Sequence, residues 1–337
     1  MSSLVVQVSL IGSVSPHPNA DRLELAIING WQCVVPKGRY SVGDRVVYFP
    51  PDTVLPEEVS DRMGVTQYLS KGRIRCARLR GEPSFGVVEA FNDEAWEVGD
   101  DVAALYGATK YEPPLRVSVG DCEAEHPLFQ SYTDIENLRN FQGVLQDGES
   151  VVVTEKIHGT NSRIGLLEGT LVAGSKKLQR KMPSGELMAQ HEYWFPYTLE
   201  PVKALITELA AQYRQVVIYG EVFGKIQKRF HYDAQGTLGY RAFDILVDGR
   251  YMDHEDFCRW TDKFGVQRVP VLYEGPYSLE KIKELSSGTT TIGDAHIREG
   301  VVVKPVKERI NEKIGRVILK YVSDAYLLGD TDDNTDA

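Results

Sequence analysis

The sequence has no Cys-x-x-Cys pair. Its four cysteines, Cys33, Cys76, Cys122 and Cys258, are scattered. That argues against a zinc site and a disulfide framework, and it fits a reducing cytosol. No apolar run approaches the roughly 18 residues that a membrane helix needs. The apolar stretch 4–14 has no basic residue ahead of it and is broken by Gln7 and Ser9. It therefore reads as a strand and not as a signal peptide. Basic excess is missing too: 38 Lys and Arg face 48 Asp and Glu, for a net charge of −10. A uniformly basic nucleic-acid coat is excluded, but confined basic patches are not. No internal repeat is evident. What remains is a 337-residue chain with 42% apolar and 26% charged residues. It is globular and of a length that suits about two domains.

The front of the chain reads as β structure. Short β-branched or aromatic runs at 4–14, 31–35, 45–49, 74–79, 85–91 and 102–105 are separated by Gly, Pro, Asp and Asn. That spacing favours a small barrel or sandwich, residues 1–115. The polar, pattern-poor stretch 116–130 reads as a linker, and 133–140 as a helix capped by Thr133 or Asp134. From residue 150 the pattern changes. Strands at 150–154, 162–167, 216–219, 240–247, 300–305 and 317–322 alternate with helices near 201–213, 254–264 and 279–284. This is α+β, and the second domain is expected over 131–328. Residues 329–337, rich in aspartate, read as a disordered acidic tail.

The chemistry centres on Glu155-Lys156-Ile157-His158-Gly159-Thr160-Asn161, at the end of an apolar strand. Burial lowers a lysine's pKa, and a neutral lysine is a nucleophile that forms covalent intermediates. Gly159 is read as letting the backbone approach a ligand. Four further segments follow in order: Val217–Gly224 with Glu221, Tyr240–Ile245 with Phe243, Glu299–Pro305 with Lys304, and Val317–Tyr321 with Lys320. Lysine, carboxylate, aromatic, carboxylate and lysine are what nucleotide transfer to a lysine demands. The aromatic stacks a base, one carboxylate accepts from a ribose, another holds Mg²⁺, and cations neutralise the phosphates.

These five segments resemble motifs I, III, IIIa, IV and V of the covalent nucleotidyltransferases, the ATP-dependent ligases and mRNA capping enzymes. With His158 where most of that superfamily has Asp, they are most similar to the bacteriophage RNA ligase 2 branch, as is Tyr132-Thr-Asp-Ile-Glu-Asn137 upstream. The resemblance covers roughly residues 130–325. It implies a transferase domain of ATP-grasp-like character, with antiparallel sheets flanked by helices. It also implies that Lys156 takes AMP from ATP as a phosphoramidate. Glu221 would contact the ribose, and Asn161 also belongs to the ATP site. Phe243 would stack the adenine, Glu155 would lie near its edge, and Glu299 would support Mg²⁺ or Mn²⁺. Lys304 would lie near the phosphates and Lys320 at the α-phosphate. The first motif V lysine is replaced by Ile318. The motif Ia arginine has no evident counterpart, with Lys177 or Arg180 as the candidates. His158 reads equally as a structural histidine and as a phosphate or metal group.

The front segment has its own resemblance. Pro16–Glu24 and Leu79–Gly86 are similar to signatures of the OB-fold tRNA-binding domains attached to some aminoacyl-tRNA synthetases. An OB domain ahead of the transferase core is the layout of the Deinococcus-type RNA ligases. Arg73, Arg75, Arg78 and Arg80 are read as a phosphate-contacting strand face with a bulge between the two pairs. The expectation is an ATP-dependent RNA ligase sealing 3′-hydroxyl and 5′-phosphate ends. Its expected substrate is a nick in RNA or an RNA–DNA hybrid duplex, with RNA on the 3′-hydroxyl side. The chain is expected to be a cytoplasmic monomer without a membrane or protein partner. The rivals are a capping-type guanylyltransferase, a DNA ligase on the same core, and a non-catalytic RNA-binding protein.

Overall fold

The front half is organised by one bent strand. Gln7–Pro16 pairs through Gln7–Leu10 with the strand Arg45–Phe49, and through Ile11–Pro16 with the strand Leu23–Ile28. A register shift between Ile11 and Ser13 separates the two pairings. Such a bulge bends the strand and increases local twist, so one strand serves two neighbours and the sheet curls. The full order is Trp31–Pro36, Leu23–Ile28, Gln7–Pro16, Arg45–Phe49, Val87–Ala90, all antiparallel. Curling also explains why Val46, Val47, Tyr48 and Phe49 are all buried. Val46 and Tyr48 join a cluster with Ile28, Trp31 and Phe85, while Val47 and Phe49 join one with Val6, Val8 and Ile74. This is the five-stranded architecture that the OB resemblance implies.

The computed structural model describes residues 4–91, 93–112, 121–227, 229–293 and 296–329. The acidic tail beyond Gly329 and the first part of the linker, 116–120, lie outside the described residues. The chain forms two compact units. The first holds the described residues before 114, and the second holds most of 121–326. The described part of the linker, 121–130, packs within the second unit, where Phe129 is buried and Arg163 lies 4.0 Å above its ring.

The second unit is built on two sheets. In the first, strands run Gln179–Arg180, Thr170–Ser175, Thr160–Leu167, Gln215–Gly224, Leu238–Val247, Arg250–Tyr251, all antiparallel. Helices Glu200–Ala210 and His254–Phe264 cover one face, burying Leu205, Leu209 and Phe257 against Ile164, Ile218 and Ile245. In the second sheet, Ser150–Glu155 is antiparallel to both Val271–Pro276 and Gly300–Pro305, and Leu319–Val322 lies beyond. Among the described residues no helix is long and apolar enough to cross a membrane.

Two expected elements differ. Residues 102–105, read as a strand, fall largely in a 3₁₀ turn, Ala103–Tyr106, closed by Gly107 at φ 59°. Short apolar runs do not separate the two by periodicity. The expected helix over 133–140 is a two-residue strand, Glu136–Asn137, followed by a 3₁₀ turn, Leu138–Asn140. Tertiary ties win here. Tyr132 donates to Asp244, Asp134 receives Lys176, and Glu136–Asn137 runs parallel to Leu319–Lys320.

Candidate active site

Strand alternation presents Lys156. Val151, Val153 and Glu155 turn into one face of the strand Ser150–Glu155, and Thr154 and then Lys156 turn to the other. The Lys156 amide is pinned by a bond to Gly300 O at 3.0 Å. Its Nζ lies 2.6 Å from Glu299 Oε1. Burial works to lower the Lys156 pKa, but the Glu299 and Glu221 carboxylates outweigh it and hold the amine above its ordinary value. The expectation of a lysine already depressed by burial is therefore corrected: beside Glu299 it is an ammonium. Glu221 carries the opposite burden. Its burial, with Glu299 adding to it against Lys156, pushes its pKa up to about 8.

Glu221 faces the strand Thr160–Leu167, where its ladder partner is Asn161. Asn161 Oδ1 is buried and accepts no hydrogen bond. The glycine between Lys156 and this strand has a different role from the one read in sequence. A Cβ at Gly159 would stand 2.2 Å from Val222 O and 3.0 Å from Glu221 Cγ. The residue must be glycine so that the Glu221 strand can come close. His158 is buried beside it. Its amide donates to Tyr232 Oη at 2.6 Å, and its Nδ1 lies 2.9 Å from Tyr326 Oη and 3.8 Å from Glu299 Oε2.

Phe243 owes its position to a bulge. Tyr219 pairs with Asp244 and Gly220 with Ala242, so Phe243 is the extra residue. Phe243 and its neighbour Asp244 consequently both line the same cavity, whose other walls include Lys156, Glu221, Asn161 and Val302. Tyr132 meets Phe243 edge-on, with ring centroids 4.8 Å apart.

Register places the remaining lysines. Thr154 faces Val302, which faces Lys320, so Lys320 is on the cavity side of the sheet. Lys304 faces Val152 on that same side. Four residues separate Val152 from Lys156, about 13 Å along a strand. Lys304, expected near the phosphates with Lys156, therefore stands at the far, aromatic end. There its Nζ lies 2.5 Å from Asp244 Oδ1 and 3.4 Å from Glu308 Oε1. Asp244 also accepts from Tyr132 Oη at 2.5 Å and Arg316 Nη2 at 2.9 Å. Burial alone would raise the Asp244 pKa, but Arg316 and Lys304 overcome it and hold the carboxyl below its usual range.

Glu155, expected near the adenine edge, borders the cavity, while its carboxylate points to the opposite face and accepts from Thr290 and Thr291. Lys177 is exposed. Arg180 is buried against Asp121 and Cys122 at 3.3 and 3.2 Å, with Tyr193 beneath it. The residue of that run whose charge is coupled to the cleft is Lys176. It bonds Asp134, and burial and Lys177 lower its pKa to about 8, with Glu221 and Lys156 also acting on it. Sequence reasoning missed Lys176, Tyr132 and Arg316. The stretch Tyr132–Asn137, quoted for its resemblance, was the available signal for the second.

In the first unit the four arginines do not form one face. Arg73 is taken by Asp52 at 2.6 Å and stacks on Tyr111 at 3.7 Å. Arg75, Arg78 and Arg80 are exposed, the last two on the hairpin Cys76–Leu79/Glu82–Phe85 and its turn. The turn uses Arg80 at φ 52° and Gly81 at φ 94°. His17 Nε2 lies 3.0 Å from Leu79 O, and Asn19 Nδ2 donates to Arg80 O at 3.1 Å, so the Pro16–Glu24 signature holds the hairpin.

Comparison with known proteins supplies the family. An RNA ligase family model matches residues 149–322, and an OB-fold domain model matches residues 5–91. No curated protein matches the sequence. Among solved structures, a variant of Naegleria gruberi RNA ligase with ATP and Mn is similar at 24% identity and TM-score 0.78, over 96% of this chain and 98% of that one. The same ligase with PPi is 25% identical, with TM-score 0.77 and the same coverage. The family model spans more than half of the chain and every strand that carries the Lys156 cleft: the chain belongs to the RNA ligase family.

Proposed function

We propose that this chain is an ATP-dependent RNA ligase that works through lysyl-AMP. The observation that carries the reading is the pairing of Lys156 with buried Glu299 at 2.6 Å, in a cleft shared with Glu221 and walled by Phe243. In the first step Lys156 Nζ attacks the α-phosphorus of ATP. The phosphorus–nitrogen bond forms as the bond to the bridging oxygen breaks, pyrophosphate leaves with that electron pair, and the amine gives up a proton. Lys156 starts as an ammonium held chiefly by Glu299, so it must first release one proton to expose its lone pair, and that loss precedes the one given up on attack. AMP then passes to a 5′-phosphate end, and a 3′-hydroxyl attacks that end and expels AMP. All three are in-line displacements, so positioning and charge neutralisation supply most of the catalysis.

The Naegleria ligase structures with ATP or AMP and Mn support a divalent cation. The residues fit one. Glu299 Oε2 is buried and accepts no hydrogen bond. Among the described residues no three acidic, His or Cys side chains cluster as a metal cage, so phosphate oxygens or water would complete the coordination. Such a cation neutralises charge on the phosphates. Glu299 would hold it, Phe243 would stack the adenine, and Glu221 would meet the ribose. Lys320 would meet the α-phosphate and Lys176 would lie beside it.

RNA is the polymer, and a nick in a duplex with RNA on the 3′-hydroxyl side is the proposed substrate. The exposed Arg75, Arg78 and Arg80 on a braced hairpin support a phosphate-binding role for the first unit. A reducing cytosol fits the scattered free cysteines. The test is mass spectrometry after incubation with ATP or GTP and Mg²⁺ or Mn²⁺, then sealing assays on RNA, DNA and hybrid nicks. One AMP on Lys156 and joining of RNA 3′-hydroxyls support the reading. GMP on Lys156 points to a capping-type enzyme, and no adduct refutes catalysis.

A further inference from the structure

Glu155 precedes the reactive lysine and belongs to neither end of the cleft. Only 1% of the residue is exposed. Its Oε1 accepts from Thr290 Oγ1, and its Oε2 accepts from Thr291 N at 2.8 Å and Thr291 Oγ1 at 2.6 Å. Arg298 Nε stands 3.7 Å from the same Oε2. Arg298 is itself fixed by Nη1 to Leu285 O at 2.6 Å and Nη2 to Thr289 O at 3.0 Å. Ser323 then ties down the backbone that carries Glu299: its Oγ donates to Arg298 O at 3.0 Å and its amide to Glu299 O at 2.9 Å.

The chain order makes this more than a buried ion pair. Glu155 and Arg298 meet on one face, and their immediate neighbours, Lys156 and Glu299, meet on the other. Two adjacent pairs of reversed polarity thus join the same two chain segments. Charge-assisted bonds to a buried carboxylate are short, strong and directional, and such bonds lock the residues that they hold.

We propose that Glu155 is a positioning residue: through Thr290, Thr291 and Arg298 it sets the spacing between Lys156 and Glu299, and it does not read the nucleobase. Three of the carboxylate's roughly four acceptor sites are taken by residues 290 and 291, on the face away from Lys156. A displacement of the order of 1 Å at a reacting pair costs about a hundredfold in rate. This inference rests on Lys156 being the nucleophile.

The experiment measures single-turnover formation of lysyl-AMP at saturating ATP, per active site, for Glu155→Gln, Thr290→Val, Thr291→Val and the Glu155→Gln/Thr291→Val double variant. Each is also assayed for apparent KM for ATP and for the ratio of ATP to GTP use. Expected are a fall in saturating rate of at least tenfold in Glu155→Gln and a smaller fall in each threonine variant. The double variant should be no slower than Glu155→Gln, with KM and nucleotide ratio unchanged. A purely structural carboxylate would lower the melting temperature and the active fraction but not the rate per site. If Glu155→Gln fails to fold, the threonine variants carry the test: a slower rate at constant KM supports the proposal, and an unchanged rate overturns it. A tenfold rise in KM, a changed nucleotide ratio, or additive losses in the double variant also overturn it. Absence of any adduct on wild-type Lys156 overturns both this proposal and the ligase mechanism.

Discussion

The two ends of the cleft hold the same kind of pair in different settings. At one end Lys156 lies 2.6 Å from Glu299, at the other Lys304 lies 2.5 Å from Asp244. The Lys156 side chain is 25% exposed and the Lys304 side chain 9%. Glu299 keeps an oxygen that accepts no hydrogen bond. Asp244 is saturated by Lys304, Tyr132 and Arg316, and Glu308 closes the ring by accepting from Arg316 at 2.6 and 2.7 Å. A buried ion pair with every acceptor filled costs much to disturb, whereas one with a spare acceptor and access to solvent can exchange partners. Distance alone does not separate a reactive lysine from a structural one.

The contrast is open to direct attack. The largest effect is expected at the open end. Lys156→Ala should remove the adenylate adduct altogether, read by mass spectrometry, with little change in melting temperature. It should still seal a nick whose 5′ end is already adenylated. At the closed end Asp244→Asn should do the reverse, costing roughly 3 kcal/mol or more of stability because Lys304 and Arg316 lose a buried counter-charge. Denaturant unfolding checks it, and an unaltered midpoint with a dead enzyme would erase the distinction between the ends. Phe243→Ala should weaken ATP binding by about 1–3 kcal/mol, the usual worth of stacking a base, as seen in KM for adduct formation. Within the first unit, Arg78→Ala and Arg80→Ala should each flatten the dependence of log affinity on log salt by about 0.9 for duplex binding.

The smallest effect sharpens the electrostatics of the open end. Glu221 titrates at about 8 in the fold against an ordinary 4.5. Between those values the folded protein holds a proton that the unfolded chain has released, so stability is lost as pH rises through that window. Glu221→Gln lacks this loss. Its melting temperature should therefore gain a few degrees on wild type between about pH 5 and about pH 9. A gap that does not vary with pH would mean that Glu221 is already an anion paired with Lys156.

Much of this was legible in the sequence, for physical reasons. The apolar strands that carry Glu221 and Lys304, and the one that delivers Lys156 just past its end, are local patterns, and they fold as strands. The turn signals around His17 and Gly81 are local too. What sequence does not carry is which strand lies opposite which and in what register. The placement of Lys304 at the aromatic end depends on its pairing with Val152. The shared outlook of Phe243 and Asp244 depends on a bulge that alternation does not announce. The sign of the Lys156 shift depends on two carboxylates more than sixty residues away in the chain. The supposed helix over 133–140 failed for the same reason, since Thr133 and Asp134, its candidate caps, are claimed by Tyr251 and Lys176.

The two ends also give the cleft a direction. Its more exposed lysine lies beside the spare oxygen of Glu299, and its more buried one beside the filled carboxylate of Asp244. A nucleotide lying with its base at Phe243 would point its phosphates at the more exposed end, and pyrophosphate would depart from there ahead of the adenosine. The order of product release would then follow from how unevenly one crevice is wetted.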